Sequence, residues 1–176
     1  MQAVILAGGA SSRFHPLNKE PKSLIKIAGE PIIVHTIRSV KRAGINDIVL
    51  LTGPENHFKE FLGIGKKYGV KITYASIPAP TGMGDGLLRC APFIKSDFFL
   101  MHAHHVEFDE LKKVIDQKRR AYNEAIIIGK ESKTPKRYGV LKIEGDLVLN
   151  IVEKPKSMRG LSNLRIIGVY LLNQDF

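Results

Sequence analysis

The chain has 176 residues, with 27 Lys and Arg against 17 Asp and Glu, so its formal net charge at pH 7 is +10. Hydrophobic residues make up 44% of the chain, which is typical of a globular protein with a buried core and argues against intrinsic disorder. No apolar run approaches the roughly 20 residues that a membrane-spanning helix needs. The N-terminus has no basic segment, and the single cysteine, Cys90, cannot form an internal disulfide. These features predict a cytoplasmic protein with no membrane partner.

The basic residues are dispersed along the chain in pairs and triplets, such as Lys66-Lys67 and Lys118-Arg119-Arg120. They form no long basic block and are not interleaved with aromatic residues, as a nucleic-acid surface would require. We therefore expect no nucleic-acid partner. The net positive charge of the chain favours the binding of small anionic substrates.

The first half of the chain alternates buried strands with helices. The wholly apolar run Ala3–Ala7 breaks at Gly8-Gly9, as a strand covered on both faces does. Pro31 can open a helix, and Gly44 can close it. This alternation indicates a parallel sheet with helices on both sides. The predicted strands are Ala3–Ala7, Asp47–Thr52 and Val70–Ala75, and the predicted helices are Pro31–Gly44 and Glu55–Tyr68, the latter weakened by Gly63 and Gly65.

The second half continues this rhythm and then changes to antiparallel strands. Phe108–Ala121 is predicted as an amphipathic helix with Leu111, Val114 and Ile115 facing inward. Glu144-Gly145-Asp146 has the composition of a hairpin turn. The other predicted elements are a loop at Ser76–Gly82, a short helix at Leu87–Ala91, and strands at Phe98–Met101, Ala125–Ile128, Tyr138–Ile143, Leu147–Val152 and Arg165–Leu172.

These elements predict the fold class. We expect a single α/β domain over residues 1–176 that is Rossmann-like, with three α/β/α layers. Its central sheet is expected to be mainly parallel, with an antiparallel hairpin near the C-terminus. In such sheets, ligands bind at the carboxyl ends of the strands.

The loop after the first strand has the composition of a phosphate-binding site. Gly8-Gly9 lets backbone amides approach an anion closely, and the hydroxyls of Ser11-Ser12 add hydrogen-bond donors. Arg13 offers a planar fork for phosphate, and Lys22 follows nine residues later. Neither a P-loop nor the dinucleotide-binding pattern is present. On spacing alone, a structural glycine turn is the alternative.

This loop resembles the signature of the sugar-1-phosphate nucleotidylyltransferases, also called nucleotide-sugar pyrophosphorylases. The matching residues are Leu6-Ala7-Gly8-Gly9-Ala10-Ser11-Ser12-Arg13-Phe14-His15-Pro16-Leu17 and Pro21-Lys22-Ser23-Leu24. Later segments are similar to further family motifs in the same order, namely Ile27-Ala28-Gly29-Glu30-Pro31-Ile32-Ile33, Gly82-Met83-Gly84-Asp85-Gly86-Leu87, Arg137-Tyr138-Gly139-Val140 and Val152-Glu153-Lys154-Pro155. Ordered matches over nearly the whole chain are more specific than one glycine loop.

The resemblance implies that a sugar 1-phosphate attacks the α-phosphorus of a nucleoside triphosphate, releasing pyrophosphate and giving a nucleotide sugar. It implies that Arg13 stabilises the departing pyrophosphate and that Lys22 holds phosphate oxygens, which makes them the two predicted catalytic residues. The implied partners are a nucleoside triphosphate and a sugar 1-phosphate. The nucleotide-binding residues that it implies are Leu6, Gly8, Gly9, Ser11, Ser12 and Gly82, and the sugar-phosphate-binding residues are Gly139, Glu153 and Lys154.

The largest departure from the family lies in the segment Met101-His102-Ala103-His104-His105. Ala103 and His104 stand where the family usually has Gly-Asp, with the Asp binding magnesium. His104 is therefore the predicted metal ligand. The implied cofactor is a divalent metal, Mg²⁺ by resemblance, with Mn²⁺ or another transition metal as alternatives because imidazole suits them better. The other interpretation is a set of hydrogen-bonded or surface histidines in a site without a metal.

Two further positions depart from the family pattern. Ile77 stands where the family often has a glutamine that reads the base, and Ile166 stands where an asparagine often meets the sugar. The identities of base and sugar therefore stay open. The family domain continues beyond the last predicted strand, so we expect the chain to lack the C-terminal part of that domain.

Two other functions are compatible with the sequence. One is a nucleotide-binding or sugar-phosphate-binding regulatory domain of the same superfamily with little or no turnover, which His104 and the short C-terminus favour. The other is cytidylyl transfer to a phosphorylated alcohol such as phosphocholine, which uses a similar opening motif. A terminal strand without a capping helix also allows pairing across a homo-oligomer.

Overall fold

The computed structural model describes residues 1–9, 21–55, 57–79, 82–119 and 125–174. The chain divides into two compact units, one formed by Met1–Ile126 with Leu171–Phe176 and the other by Ile127–Tyr170. Within the described ranges, no helix is long and apolar enough to cross a membrane.

The first unit contains six strands and four helices in its described part. Before the first α-helix, the chain makes a tight turn at Ala28 and Gly29, both of which have positive φ angles. In chain order, the elements are β1 (Gln2–Leu6), β2 (Lys26–Ile27), β3 (Glu30–Pro31), α1 (Ile32–Arg42), β4 (Asp47–Thr52), α2 (His57–Leu62), β5 (Lys71–Ser76), α3 (Met83–Cys90), β6 (Phe98–His102) and α4 (Phe108–Lys118).

Four parallel strands form the centre of this unit in the order β5-β4-β1-β6. The side chains of Val4, Ile5, Ile48 and Leu50 have no exposed surface, because the two inner strands are covered on both faces. The prediction of a mainly parallel α/β sheet is therefore confirmed, and the strand at Asp47–Thr52 has the predicted bounds.

Three predictions about helices are wrong. The predicted helix at Glu55–Tyr68 ends at Leu62, because Gly63 and Gly65 adopt positive φ angles that an α-helix cannot contain. Helix α3 begins at Met83, four residues earlier than predicted. Val114 was expected to face inward, but its side chain is 53% exposed, and Ile115 provides the buried contact of α4.

A buried polar contact joins α1 to the start of α4. The Ser39 hydroxyl donates to Oδ1 of Asp109 at 2.6 Å and accepts from the Asp109 backbone amide at 2.8 Å. Arg42 donates to both carboxylate oxygens of Asp109, at 2.8 and 3.1 Å. These donors, the Arg42 guanidinium foremost, lower the pKa of Asp109 to about 2.

The second unit contains the antiparallel hairpin that the sequence predicts. Its strands are β7 (Ala125–Glu131), β8 (Gly139–Glu144), β9 (Leu147–Glu153) and β10 (Leu164–Leu172), of which β7 begins and β10 ends in the first unit. Strands β8 and β9 pair with Gly139 opposite Glu153 and Glu144 opposite Leu147, and Gly145 in the turn has a φ angle of 58°. Both β7 and β8 pair with β10.

Replacing Asp109 by Asn should lower the free energy of unfolding at pH 7 by roughly 1–3 kcal/mol, because the charge-assisted bonds from Arg42 are lost. Folding lowers the pKa of Asp109, so its contribution is present above pH 4 and is lost as the pH falls towards 2. The free energy of unfolding, measured by urea denaturation, should therefore differ less between wild type and Asp109→Asn below pH 4 than at pH 7. Glu110→Gln, which removes an exposed carboxylate beside it, is the control and should change little. A difference that stays constant down to pH 3 would contradict this role.

Candidate active site

The four parallel strands of the first unit end side by side. Leu6 pairs in register with Leu51 and His102, and Thr52 pairs with Ser76. The loops that follow these strands therefore leave from the same end of the sheet, where α/β sheets bind their ligands. Leu6, a predicted nucleotide-binding residue, lies at this end as the last residue of β1.

Gly8 packs closely against the end of β4 and the residue that follows β5. A Cβ atom at this position would lie 2.8 Å from Cγ2 of Ile77 and 3.2 Å from the carbonyl carbon of Thr52. By contrast, a Cβ atom at Gly9 would have no neighbour within 4 Å among the described residues. Packing against described residues therefore requires a glycine at position 8 but not at position 9. Ile77 stands where the family often has a glutamine that reads the base. Its side chain is 3% exposed and packs close to Gly8.

Helix α3 approaches the same strands through a glycine to which sequence analysis gave no role. A Cβ atom at Gly86 would lie 2.7 Å from Cδ2 of Leu51 and 3.8 Å from Cδ2 of Leu6. Gly82, predicted to bind the nucleotide, precedes α3 with a φ angle of 127°, which side chains rarely adopt. Gly82 lies before the helix, and a Cβ atom there would have no described neighbour within 4 Å, so its spacing from Gly86 is not a signal of close packing.

Lys22 begins a single 3₁₀ turn, Lys22–Leu24. The buried side chains of Ser23 and Leu24 anchor this turn, and its backbone is closed by a hydrogen bond from the Ile25 amide to the Lys22 carbonyl at 3.2 Å. The positive charge of Lys22 is among the causes that lower the pKa of His102 and of His104, after removal from water and the charge of His105.

His102, His104 and His105 form a stack of imidazole rings, which we call the histidine cluster. The ring centroids of His102 and His104 are 5.5 Å apart and nearly parallel, and those of His104 and His105 are 4.9 Å apart. The segment is held to the sheet through Ala103, whose amide donates to the Leu6 carbonyl at 3.2 Å. The carbonyl of Ala103 accepts from the Thr36 hydroxyl of α1 at 3.0 Å.

His102 and His104 are harder to protonate than a histidine in water. The pKa of His102 is lowered mainly because its ring is partly removed from water, and also by the charges of His105 and Lys22. The same causes lower the pKa of His104 to about 4, although part of its side chain faces solvent. Both rings are therefore neutral near pH 7. Each then carries one N–H donor and one unprotonated nitrogen.

His105 is the buried ring of the histidine cluster. It is 4% exposed, and its Nδ1 lies 3.4 Å from Oε1 of Glu107. Its Nε2 is buried and has no hydrogen-bond partner among the described residues. No signal in the sequence distinguished His105 from its neighbours, because burial depends on the packing of the loop.

The histidine cluster does not fit a magnesium ion. Magnesium prefers hard oxygen ligands in octahedral geometry, whereas this segment offers imidazole nitrogens. In the part of the chain that the structure describes, no three His, Cys, Asp or Glu side chains are arranged to hold a metal ion. A transition metal at His104 stays a prediction.

The second unit brings its three predicted sugar-phosphate residues together. A Cβ atom at Gly139 would lie 3.1 Å from Oε2 of Glu153 and 3.2 Å from Cδ1 of Ile166, so only glycine fits there without displacing these groups. Lys154 follows with a φ angle of 43°, and its amide donates to the Tyr138 carbonyl at 3.0 Å. A positive φ at a residue other than glycine is strained, and such strain is concentrated at functional sites.

Three predicted residues fall in a segment without a description. Arg13, Ser11 and Ser12 lie outside the described residues. Their roles stay predictions from sequence.

A family model described as Nucleotidyl transferase matches residues 2–176. The chain belongs to the nucleotidyl transferase family. The match spans both units, and it confirms the resemblance inferred from the glycine loop and the later motifs.

Two curated relatives and one solved structure are similar to this chain over nearly all of its length. A glucose-1-phosphate thymidylyltransferase of Neisseria meningitidis is 30% identical over 176 residues, which cover 97% of this chain and 60% of the relative. A mannose-1-phosphate guanyltransferase of Saccharomyces cerevisiae is 30% identical over 184 residues, which cover 99% and 50%. A crystal structure from Bacillus anthracis, provisionally assigned as a glucose-1-phosphate thymidylyltransferase in complex with sucrose, superposes with a TM-score of 0.83 at 26% identity, covering 99% of this chain and 72% of that one. The chain thus spans 60% or less of the length of these two curated relatives.

Gly8 and Gly9, in the loop after β1, should differ in how much an added methyl group destabilises the protein. Gly8→Ala should lower the free energy of unfolding by about 1–3 kcal/mol, because the new Cβ overlaps Ile77 and the Thr52 backbone. Gly9→Ala should change it by less than about 1 kcal/mol. Urea denaturation of both variants checks this difference. Equal losses in the two variants would show that the loop does not pack as described.

Proposed function

We propose that this chain catalyses nucleotidyl transfer from a nucleoside triphosphate to a sugar 1-phosphate. A phosphate oxygen of the sugar 1-phosphate forms a bond to the α-phosphorus, and the bond from that phosphorus to the bridging oxygen of the β-phosphate breaks. The products are a nucleotide sugar and pyrophosphate. The observation that carries the proposal is that Gly8 and the histidine cluster both follow parallel strands that end side by side at the carboxyl end of the sheet. The names of the curated relatives support it.

In this proposal, the first unit binds the nucleotide. The close fit of Gly8 over Thr52 keeps the loop backbone near the end of the sheet, where its amides can face phosphate oxygens. Lys22 supplies a positive charge for the phosphates, and catalysis of this type depends mainly on such positioning and charge stabilisation. Gly82 and Leu6 would border the nucleoside. Arg13, Ser11 and Ser12 enter the proposal from sequence alone, as the group that neutralises pyrophosphate and as hydroxyl donors.

The second unit would bind the sugar 1-phosphate. Glu153 has an exposed carboxylate that can accept hydrogen bonds from sugar hydroxyls, and Lys154 can pair with the phosphate. Gly139 lies opposite Glu153, and because it has no side chain the Glu153 carboxylate and Ile166 can lie close to its backbone. A cytoplasmic location and a homo-oligomeric state stay predictions.

One observation favours a second candidate function. The histidine cluster does not fit magnesium, so a domain that binds nucleotide or sugar phosphate without turnover is the alternative. The two functions differ in pyrophosphate release, because a binding domain releases none.

Release of pyrophosphate should be measured for the purified chain with each nucleoside triphosphate and pooled sugar 1-phosphates, with Mg²⁺ or Mn²⁺ present. Release that requires both substrates is the expected result. Lys22→Ala should lower the rate at least 100-fold, because a charge that faces the reacting phosphates is lost. Lys26→Ala, which removes an exposed lysine in β2, is the matched control and should leave the rate within twofold of wild type. Absence of release with every substrate pair would reject catalysis and leave the binding domain.

A further inference from the structure

Helix α1 carries two buried hydroxyl groups that contact the segment between β6 and α4. This segment, residues 103–107, includes His104 and His105 of the histidine cluster, and we call it the β6–α4 loop. Thr36 and Ser39 lie three residues apart on α1, a spacing that places two side chains on one helix face, and neither has any exposed surface. A buried hydroxyl is costly unless it is hydrogen-bonded. The partners of these two hydroxyls therefore indicate what this face of α1 does.

The Thr36 hydroxyl holds the start of the β6–α4 loop. It donates to the Ala103 carbonyl at 3.0 Å, which is closer than the 3.3 Å to the Ile32 carbonyl of its own helix. Ala103 is only 4% exposed, so water has little access to replace this bond. The Ala103 amide donates to the Leu6 carbonyl at 3.2 Å. Ala103 is therefore fixed between α1 and the end of β1.

The Ser39 hydroxyl holds the other end of the β6–α4 loop. It bonds to the carboxylate of Asp109 at 2.6 Å and to the Asp109 amide at 2.8 Å. Asp109 is the second residue of α4, immediately after the loop and Phe108. The two ends of the loop are thus attached to hydroxyls of one helix. Groups that are held by a helix keep their positions more precisely than groups on a free loop.

The same helix is attached to the turn that carries Lys22. The amide of Ile32, the first residue of α1, donates to the Ile25 carbonyl at 3.0 Å. The Ile25 amide closes the turn by donating to the Lys22 carbonyl at 3.2 Å. Helix α1 is therefore hydrogen-bonded both to the lysine turn and to the β6–α4 loop, two parts of the candidate site that are distant in sequence.

We propose that Thr36 is a positioning residue that sets the place of the β6–α4 loop, and with it the histidine cluster, relative to the end of β1 and the lysine turn. It acts through the Ala103 backbone and not by contact with a substrate. This inference rests on the proposed function for the reaction that the position serves. In reactions that depend on positioning, a displacement of about 1 Å can lower the rate roughly 100-fold.

The first test compares turnover in variants of α1. Thr36→Val keeps the size of the side chain and removes the hydroxyl, so kcat for pyrophosphate release should fall at least tenfold while KM for both substrates stays within threefold. Thr36→Ser keeps the hydroxyl and should keep kcat within threefold of wild type. Ile37→Val, the matched control, removes a completely buried methyl group of the next residue and lowers stability without removing a hydrogen bond, so kcat should stay within twofold. Thermal unfolding verifies that each variant is folded at the assay temperature.

The second test follows the loop in the whole chain without any substrate, by amide hydrogen exchange measured with NMR. Exchange at residues 103–106 should be at least tenfold faster in Thr36→Val than in wild type. It should stay within threefold of wild type in Thr36→Ser and in Ile37→Val. A role limited to stability would instead speed exchange throughout the core of the first unit, including the inner strands β1 and β4.

Three results would overturn the inference. They are unchanged exchange at residues 103–106 in Thr36→Val, an unchanged kcat in that variant, and an equal loss of kcat in Thr36→Ser or Ile37→Val. Faster local exchange in Thr36→Val, together with no nucleotidyl transfer by wild type, would reject the proposed function but leave the positioning of the loop by Thr36 in place. The exchange and turnover measurements therefore separate the two claims.

Discussion

The candidate site depends on the parallel pairing of β1 with β4 on one side and β6 on the other. Because Leu6 pairs with both Leu51 and His102, a shift of one residue in β1 would change which residues of the glycine loop lie beside His102. Val4 and Ile5 point to opposite faces of the sheet and are both completely buried, so such a shift would also disturb close packing on both faces. The core of the first unit therefore determines where the chemistry-bearing groups lie.

Charge at this end of the sheet differs from what the family signature implies. The signature places a magnesium-binding carboxylate after the strand that ends at His102, and this chain has the imidazoles of His102 and His104 there, whose pKa values are lowered by burial and by nearby positive charges. The glycine loop, the lysine turn and the packing of α3 through Gly86 are present nonetheless. Ala103 and His104 thus stand where the family usually has Gly-Asp, and the difference is local to these two positions.

The inner strands could be predicted from sequence because an apolar run covered on both faces is a strong local signal, and Asp47–Thr52 is the clearest case. The helix expected at Glu55–Tyr68 failed because the positive φ angles at Gly63 and Gly65 outweigh the propensity of the flanking residues. Gly8 was assigned to nucleotide contact, and the structure adds a packing reason that no local pattern contains. The effect of the Lys22 charge on the pKa of His102 and His104 likewise arises from tertiary structure. The positive φ angle of Lys154 is invisible in sequence because it accompanies a tertiary hydrogen bond from the Lys154 amide to the Tyr138 carbonyl.

The most direct test of this account is a map of backbone amide shifts in the isotope-labelled chain on addition of dTTP or GTP. The account predicts that the largest shifts fall at Gly8, Gly9 and Lys22 and at the histidine cluster, with smaller changes at Gly139 and Glu153 until a sugar 1-phosphate is added. Shifts confined to residues 127–170, with Gly8 and the histidine cluster unaffected, would contradict it, because the nucleotide would then bind away from the carboxyl ends of the parallel strands.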